Sequence, residues 1–401
     1  MTYKIKLIAI AKDESAYLTE WIHHHFYFGI DAIHIAINNT TDGSTGLLDK
    51  LGRDFPVTYS IEDELSERHG AGFQGRAYIK MAKQAKEEGF THVLMLDIDE
   101  FWVARDFQTS IKQAIDQIGE ADSYLFHWFK HCSESEFSPC FKGKIIGGSA
   151  PLVKSLLSLE SGYGLIREHN AYGDLCYKTA EGKDYFFDKE NKTRIRIDVG
   201  RKLILQDLPF VVIHRMYRSQ MEYVSLLVRG RPNGNLIKDN RHGYGIKKNL
   251  NDEFIVSQDR LCQYYDSLEE MVKNAGIRED IEKARIFVEN RYKNALSVFN
   301  RGDLSQEDLT ALKKVLLYVD IPEVFEIYKG LDERINQYKH SDLPVLNTKE
   351  VNFLRDLAIK MESLDLVSSL ALMETALKFR PKGPLIKKKV AEYKELLESN
   401  N

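Results

Sequence analysis

With 401 residues, 43% hydrophobic and 29% charged, the chain has an ordinary soluble composition and is long for one core, so two domains are expected. A formal net charge of −4 supplies no overall basic field for nucleic acid. Cys132, Cys140, Cys176 and Cys262 show no paired C-x-x-C spacing, so neither a zinc ribbon nor a disulfide framework is indicated and reduced thiols are expected.

MTYKIKLIAIAKDES reads as a first strand, Ile5 to Ala11, rather than a signal peptide. No run of about 18 apolar residues follows, so no segment is expected to span a membrane. The expected location is cytoplasmic, with peripheral attachment to the inner face of the cytoplasmic membrane as an option. A helix from Ala16 to Phe28 ends at Gly29, and Ile33 to Ile37 reads as a second strand, stopped by Asn38-Asn39-Thr40-Thr41-Asp42-Gly43-Ser44. A short helix over Thr45 to Leu51 leads to a third strand, Val57 to Ile61. This alternation predicts βαβ units, a parallel sheet and right-handed crossovers. His69 to Gly89 is a helix candidate carrying Gln74 and Arg76.

Val93 to Leu96 is a short apolar run suited to a strand buried on both faces. It ends in Asp97, Asp99 and Glu100, three acids that repel one another unless a cation neutralises them. Mg²⁺ or Mn²⁺ with oxygen ligands is the natural partner, and ligands of open α/β sheets sit at such strand ends. A helix over Ser110 to Ile118 and a strand over Ser123 to Trp128 follow. Residues 131 to 150 read as a long functional loop, 180 to 202 as a charged excursion, and Leu203 to Ile213 as the last strand, before His214. Of 25 glycines only Gly276, Gly302, Gly330 and Gly383 lie beyond residue 250, leaving 21 before it. That shift predicts a catalytic domain over 1–250 and an all-α region over 251–401. Within 351–397, Leu366 to Pro381 resembles half of a tetratricopeptide-type pair, with an ordinary helical bundle as the alternative.

Three blocks, taken in order, resemble nucleotide-sugar glycosyltransferases of the A-type fold, close to the family-2-like and family-92-like enzymes of bacterial surface polysaccharide assembly. They are IAIAKDESAYLTEWIHHHFYFGIDAIHIAINNTTD, LMLDIDEFW and IHRMYRSQMEYVSLLVRG. The resemblance covers the first 230 to 250 residues. The chain departs from the pattern where Asp13 replaces Asn, Asn38-Asn39 replaces Asp-Asn, Arg215 stands for Tyr and Arg218 for Lys.

The resemblance implies an α/β fold with a mostly parallel, Rossmann-like sheet. It also implies metal-dependent transfer of a sugar from a nucleotide-diphosphate sugar, UDP-sugar favoured, to a glycan or lipid-linked glycan, by inversion, in lipopolysaccharide, capsule or related surface-glycan synthesis. Asp99 is then the first metal ligand, Asp97 reaches ribose or metal, and His214 completes the metal shell or contacts the diphosphate. A backbone-satisfied core histidine is the alternative for His214. Glu14, Asn39 and Asp42 match positions lining base and ribose, though Asn39 and Asp42 also suit a turn by residue type. Gln74 and Arg76 are candidates for phosphate or sugar, with a solvated helix face as the alternative. Glu134 and Glu136 are the candidate bases. His23-His24-His25 point about 100° apart on a helix and cannot all converge on one ion; His25 matches the family's helix position, and the resemblance implies a structural role for it. The helical tail is assigned to a protein partner or self-association. The rival readings are a haloacid-dehalogenase-type metal phosphatase and an inactive, transferase-like scaffold.

Overall fold

The computed structural model describes residues 3–132, 135–187, 196–197, 208–230, 236–245, 252–339 and 346–399. It divides into two compact units, Met1–Leu331 and Asp332–Asn401. The first unit therefore runs past residue 250 and takes in the first helices of the region expected to stand apart.

The unit opens as the sequence alternation predicts, with β1 (Ile5–Ala11), α1 (Ser15–Tyr27), β2 (Ala32–Ile37), α2 (Ser44–Asp54) and β3 (Val57–Ile61). A further helix, α3 (Asp63–His69), and a 3₁₀ turn at Gly70–Gly72 precede the helix expected over 69–89, which is α4 (Phe73–Glu87). Then come β4 (His92–Met95), β5 (Glu100–Ala104), α5 (Ile111–Ile118), β6 (Ser123–Cys132) and β7 (Lys144–Ser158). The expected loop over 131–150 is strand at both ends, 131–132 and 144–150, while the described residues 135–143 between them are outside any strand. Short strands β8 (Tyr163–Ile166), β9 (Ala171–Gly173), β10 (Tyr177–Thr179) and β11 (Asp184–Tyr185) precede β12 (Phe210–Arg218), α6 (Gln220–Leu226) and β13 (Asp252–Ile255). Most of the charged excursion lies outside the described residues, as do 203–207 of the last predicted strand.

The central sheet is mixed. Its N-terminal half, in the order β3-β2-β1-β4, is parallel throughout. Beyond β4 lies β7, antiparallel to it, then β6, antiparallel to β7. β12 runs parallel to β6 and antiparallel to β5, which extends the sheet on that side. The sequence expectation of a mostly parallel sheet describes the first half and misses β5, which hides in the Glu-Phe-Trp that follows the acids.

Both faces are covered, which is what buried parallel strands require. On β1, Leu7, Ala9 and Ala11 enter one core with α1, α2 and α5, while Ile8 enters a second core with Ala77, Tyr78 and Met81 of α4. Helices α7 (Gln258–Ala275) and α8 (Arg278–Phe299) close the first core against α1, through Leu261, Tyr264, Val272 and Val288. α9 (Gln306–Val315) follows, and α10 (Pro322–Lys339) crosses the division between units.

The second unit holds α11 (Thr348–Met361), α12 (Leu366–Phe379) and α13 (Pro384–Ser399). Its own core gathers Val351, Ala358, Met373, Ala376, Ile386, Val390 and Tyr393. Asn347 and Glu350 form a capping box at the start of α11.

Candidate functional site

The carboxyl ends of β1, β2 and β4 converge on one cavity of about 440 Å³. Its walls bring acids together with cations, Glu14, Asp97, Asp99 and Glu168 with Lys12, Arg218, Arg229 and Arg241; Lys238 also lines it, its amine pushed well down by burial and by Arg229 and Arg241. Asn38, Gln74, Trp128, His169 and His214 also line it.

The acid turn is braced from behind by α1. Trp21 is fully buried, and its Nε1 donates to the carbonyls of Asp97 (3.0 Å) and Glu100 (2.8 Å). Glu100, fully buried, accepts the Asp97 amide at 2.8 Å through Oε2. Lys154 of β7 completes the support. The antiparallel register His92↔Ser158, Leu94↔Leu156 continues to set Lys154 beside Leu96, just before the acids. Its Nζ, with no side-chain exposure, lies 3.0 Å from Glu100 and 3.1 Å from Asp97, and donates to the Glu168 carbonyl at 2.7 Å. Burial pulls the Lys154 ammonium down, but Asp97 and Glu100 outweigh it and hold the cation charged. Lys154 escaped the sequence reading because only strand pairing places it here.

His214 arrives by pairing of distant strands. In the β5–β12 register it sits opposite Glu100, so its Nε2 comes within 3.4 Å of Asp99 Oδ2. Its ring also meets Trp128 edge-on at 4.2 Å between centroids. Burial raises the Asp99 carboxyl, yet His214 and Arg218 outweigh this and hold it well below the usual range. Burial lowers His214, against the pull of Asp99. An ionised carboxylate and a neutral imidazole are the protonation states that bind a divalent ion.

Past His214 the pairing with β6 slips, His214↔Lys130 being followed by Arg218↔Cys132. Such a bulge re-aims side chains. It ends at Arg218, a buried arginine at φ +56°, in the left-handed region that non-glycine residues seldom adopt. Arg218 Nη2 donates to Glu14 at 2.8 Å and its guanidinium lies over the Tyr17 ring at 3.4 Å. Arg229 pairs with the other Glu14 oxygen. Glu14 therefore anchors two arginines, and burial, which raises its carboxyl, is outweighed by them.

The donor set fits a cation in part. Asp99 and His214 are spaced so that one ion could bridge them, since neighbouring ligands at about 2.1 Å from an octahedral ion lie about 3 Å apart. Asp97 is turned to Lys154, and among the described residues no group of three or more His, Cys, Asp or Glu side chains converges as a metal shell. Two protein ligands with the rest supplied by phosphate and water is the pattern of Mg²⁺ at substrate phosphates.

The remaining candidates separate. Gln74 lines the cavity, whereas Arg76 is exposed and lies outside its wall. Asn39 is exposed at φ +47°, its amide donating to Asp63 at 2.6 Å, while its neighbour Asn38 lines the cavity. Asp42 is buried and outside the cavity wall: it accepts from the amides of Ser15 (2.7 Å) and Ser44 (3.1 Å), joining the starts of α1 and α2. Asp13 accepts the Thr41 amide at 2.8 Å in the same loop pair. Glu136 is exposed and does not line the cavity, and Glu134 lies outside the described residues. The three histidines are buried in separate contacts: His23 with Ser267, His24 with the Trp102 carbonyl and His25 with the Trp21 carbonyl, each at 2.7 Å.

No protein-family model and no curated protein matches the chain. Among solved structures it is similar to S. aureus TarS at 16% identity and TM-score 0.26, over 39% of this chain and 28% of that one. It is also similar to S. aureus TarS 1–349 at 12% identity and TM-score 0.29, over 86% of this chain and 94% of that one. A third likeness, to TarS 1–349 in complex with UDP, has 12% identity and TM-score 0.26 over the same shares. The chain thus spans about a quarter of full-length TarS, and likenesses this loose carry no argument about function. The described residues contain no helix long and apolar enough to cross a membrane.

Proposed function

We propose that this chain is a metal-dependent glycosyltransferase that moves a sugar from a nucleotide-diphosphate sugar, UDP-sugar favoured, to a glycan hydroxyl with inversion. The observation that carries the reading is the strand-end cavity that Asp99 and His214 line together with Lys12, Arg218, Arg229 and Arg241. Breaking the bond between an anomeric carbon and a diphosphate puts charge on the leaving oxygens, and preorganised cations stabilise that charge most where water is thin. Arginine suits phosphate by its planar fork of donors. Arg218 and Arg229 are held in place by Glu14, so little reorganisation is needed when the diphosphate binds. Asp99 and His214 would hold a divalent ion, with Asp97 reaching it or the ribose; the ion would offset the leaving-group charge. Gln74 and Asn38, which also line the cavity, would meet the nucleotide or sugar. Surface-glycan synthesis as the setting rests on the sequence resemblance.

The test is release of nucleotide from a panel of nucleotide sugars, with Mn²⁺ or with chelator. Release that requires the metal and falls at least about 100-fold in Asp99→Ala supports the reading. If no nucleotide sugar raises the melting temperature with Mn²⁺ present, the reading fails, because a bound donor must stabilise the fold by mass action.

A further inference from the structure

A second cavity, of about 350 Å³, backs onto the first, and Ile98, Asp99 and Arg218 line both. Its far walls are α1, the segment Phe137–Pro139, and helices α7 and α8. Displacement with inversion brings the acceptor oxygen to the face of the anomeric carbon opposite the diphosphate. The second cavity shares three lining residues with the diphosphate cavity, which sets it directly beside it. Tyr17, Phe137 and Tyr265 give it aromatic surface for a sugar ring, and Arg285, over the Phe137 ring at 5.6 Å, edges it with a cation.

Four carboxylates line this cavity. Asp99 is engaged with His214, Glu269 is ion-paired with Arg278 and largely exposed, and Glu282 is exposed on α8. Glu20 differs from these. It projects from α1, its side chain is only 18% exposed, and Oε1 accepts the Cys140 amide at 2.8 Å while Oε2 stands 3.7 Å from Arg215. A carboxylate has about four acceptor sites, so Glu20 keeps capacity for a hydroxyl proton. We propose that the second cavity receives a hydroxyl-bearing glycan acceptor and that Glu20 is its general base, an assignment that rests on the transferase reading above.

In the step, a Glu20 oxygen takes the proton of the acceptor hydroxyl as that oxygen bonds to the anomeric carbon. The bond from this carbon to the diphosphate breaks, and its electron pair leaves with the nucleotide diphosphate. Burial raises the Glu20 carboxyl above its ordinary range, against Arg215, which brings it closer to the working pH of a base. Glu136 lines neither cavity.

The experiment uses the full chain, Mn²⁺, and UDP-glucose, UDP-galactose and UDP-N-acetylglucosamine as probes. Glu20→Gln keeps an acceptor for the Cys140 amide. Its kcat for nucleotide release is expected to fall by about 100-fold or more, with UDP affinity and donor KM within about twofold of wild type. Sodium azide attacks without needing deprotonation, so it should restore release in Glu20→Gln and yield a glycosyl azide detectable by mass spectrometry. The wild-type kcat should rise with pH on an acid limb that Glu20→Gln lacks, a measurement that stands even if the variant folds poorly. Wild-type turnover in Glu20→Gln, or a loss that azide does not rescue, overturns the base assignment alone. Failure of the wild type to bind UDP or release it from any probe overturns the transferase reading and the base with it.

Discussion

The parallel half of the sheet and the mixed half divide the labour of this site unequally. In β3-β2-β1 each strand joins the next one in sequence, and the polar loops after β1 and β2 bond to one another. Asp13 holds Thr41, and Asp42 holds Ser15 and Ser44. In the mixed half, β7 and β12 return from far along the chain and deliver Lys154, His214 and Arg218 to acids that end the parallel half. The lesson is that local motifs mark where a site lies, while long-range pairing supplies most of the groups that could act in it.

The sharpest way to break this division is to remove the support that crosses it. Lys154→Ala removes the cation shared by Asp97 and the buried Glu100 and should cost about 3 kcal/mol, the low end for a broken buried pair because burial already pushes the Glu100 carboxyl up toward its protonated form, read by urea denaturation. Adding Glu100→Leu should recover part of that loss, whereas strictly additive effects would sink the idea of a coupled pair. Trp21→Phe works from the other side: two buried carbonyls of the acid turn lose their donor, for about 1–3 kcal/mol by the same measurement. It should also weaken metal-dependent UDP binding by calorimetry, since the turn that carries Asp99 loosens.

Histidines in both halves set a common pH response. His25 is lowered by burial to about 3, and His34 and His127 to about 4. A histidine whose folded pKa is lowered binds its proton first in the unfolded state. Stability is therefore full above the unfolded value near 6.5 and is lost as pH falls, until the folded pKa is reached. His127 has no hydrogen-bond partner for either ring nitrogen among the described residues. His127→Leu should therefore reduce the loss between pH 6 and 4.5 by up to about 1.4 kcal/mol per pH unit, by calorimetric melting. An unchanged slope would show that His127 is hydrated or charged in the fold. The smallest effect is expected outside the sheet. Tyr393→Phe removes a 2.6 Å bond to the partly exposed Glu362 and should cost about 0.5–1 kcal/mol, leaving nucleotide release unchanged.

Much of the frame is legible from residues alone. The first three strands and their helices follow from apolar runs broken by Gly29 and by Asn38 to Ser44, and the acid cluster from its buried run. The three histidines cannot all share one ion because helical spacing already spreads them. Other features resist such reading. β5 is invisible because Glu100-Phe101-Trp102 reads as the end of a motif, and residues 131–150 read as a loop because Gly143, Gly147 and Gly148 mask the start of β7, which pairs back onto β6. Glu20 lies inside the first block of the resemblance, but its place on a second cavity follows only from packing against distant elements.

Sequence by itself determined the α/β class, the βαβ opening, the strand-end position of Asp97 and Asp99 and the change to helices in the last third. These depend on local periodicity and on turn chemistry, which a few neighbouring residues fix. Tertiary structure alone decided that Lys154 stands behind the acids, that His214 faces Asp99, that Arg218 turns to Glu14, and that Glu20 opens into a second cavity. Each of these depends on a register between strands, or on packing between elements, separated by tens to hundreds of residues. No short stretch of chain contains that information.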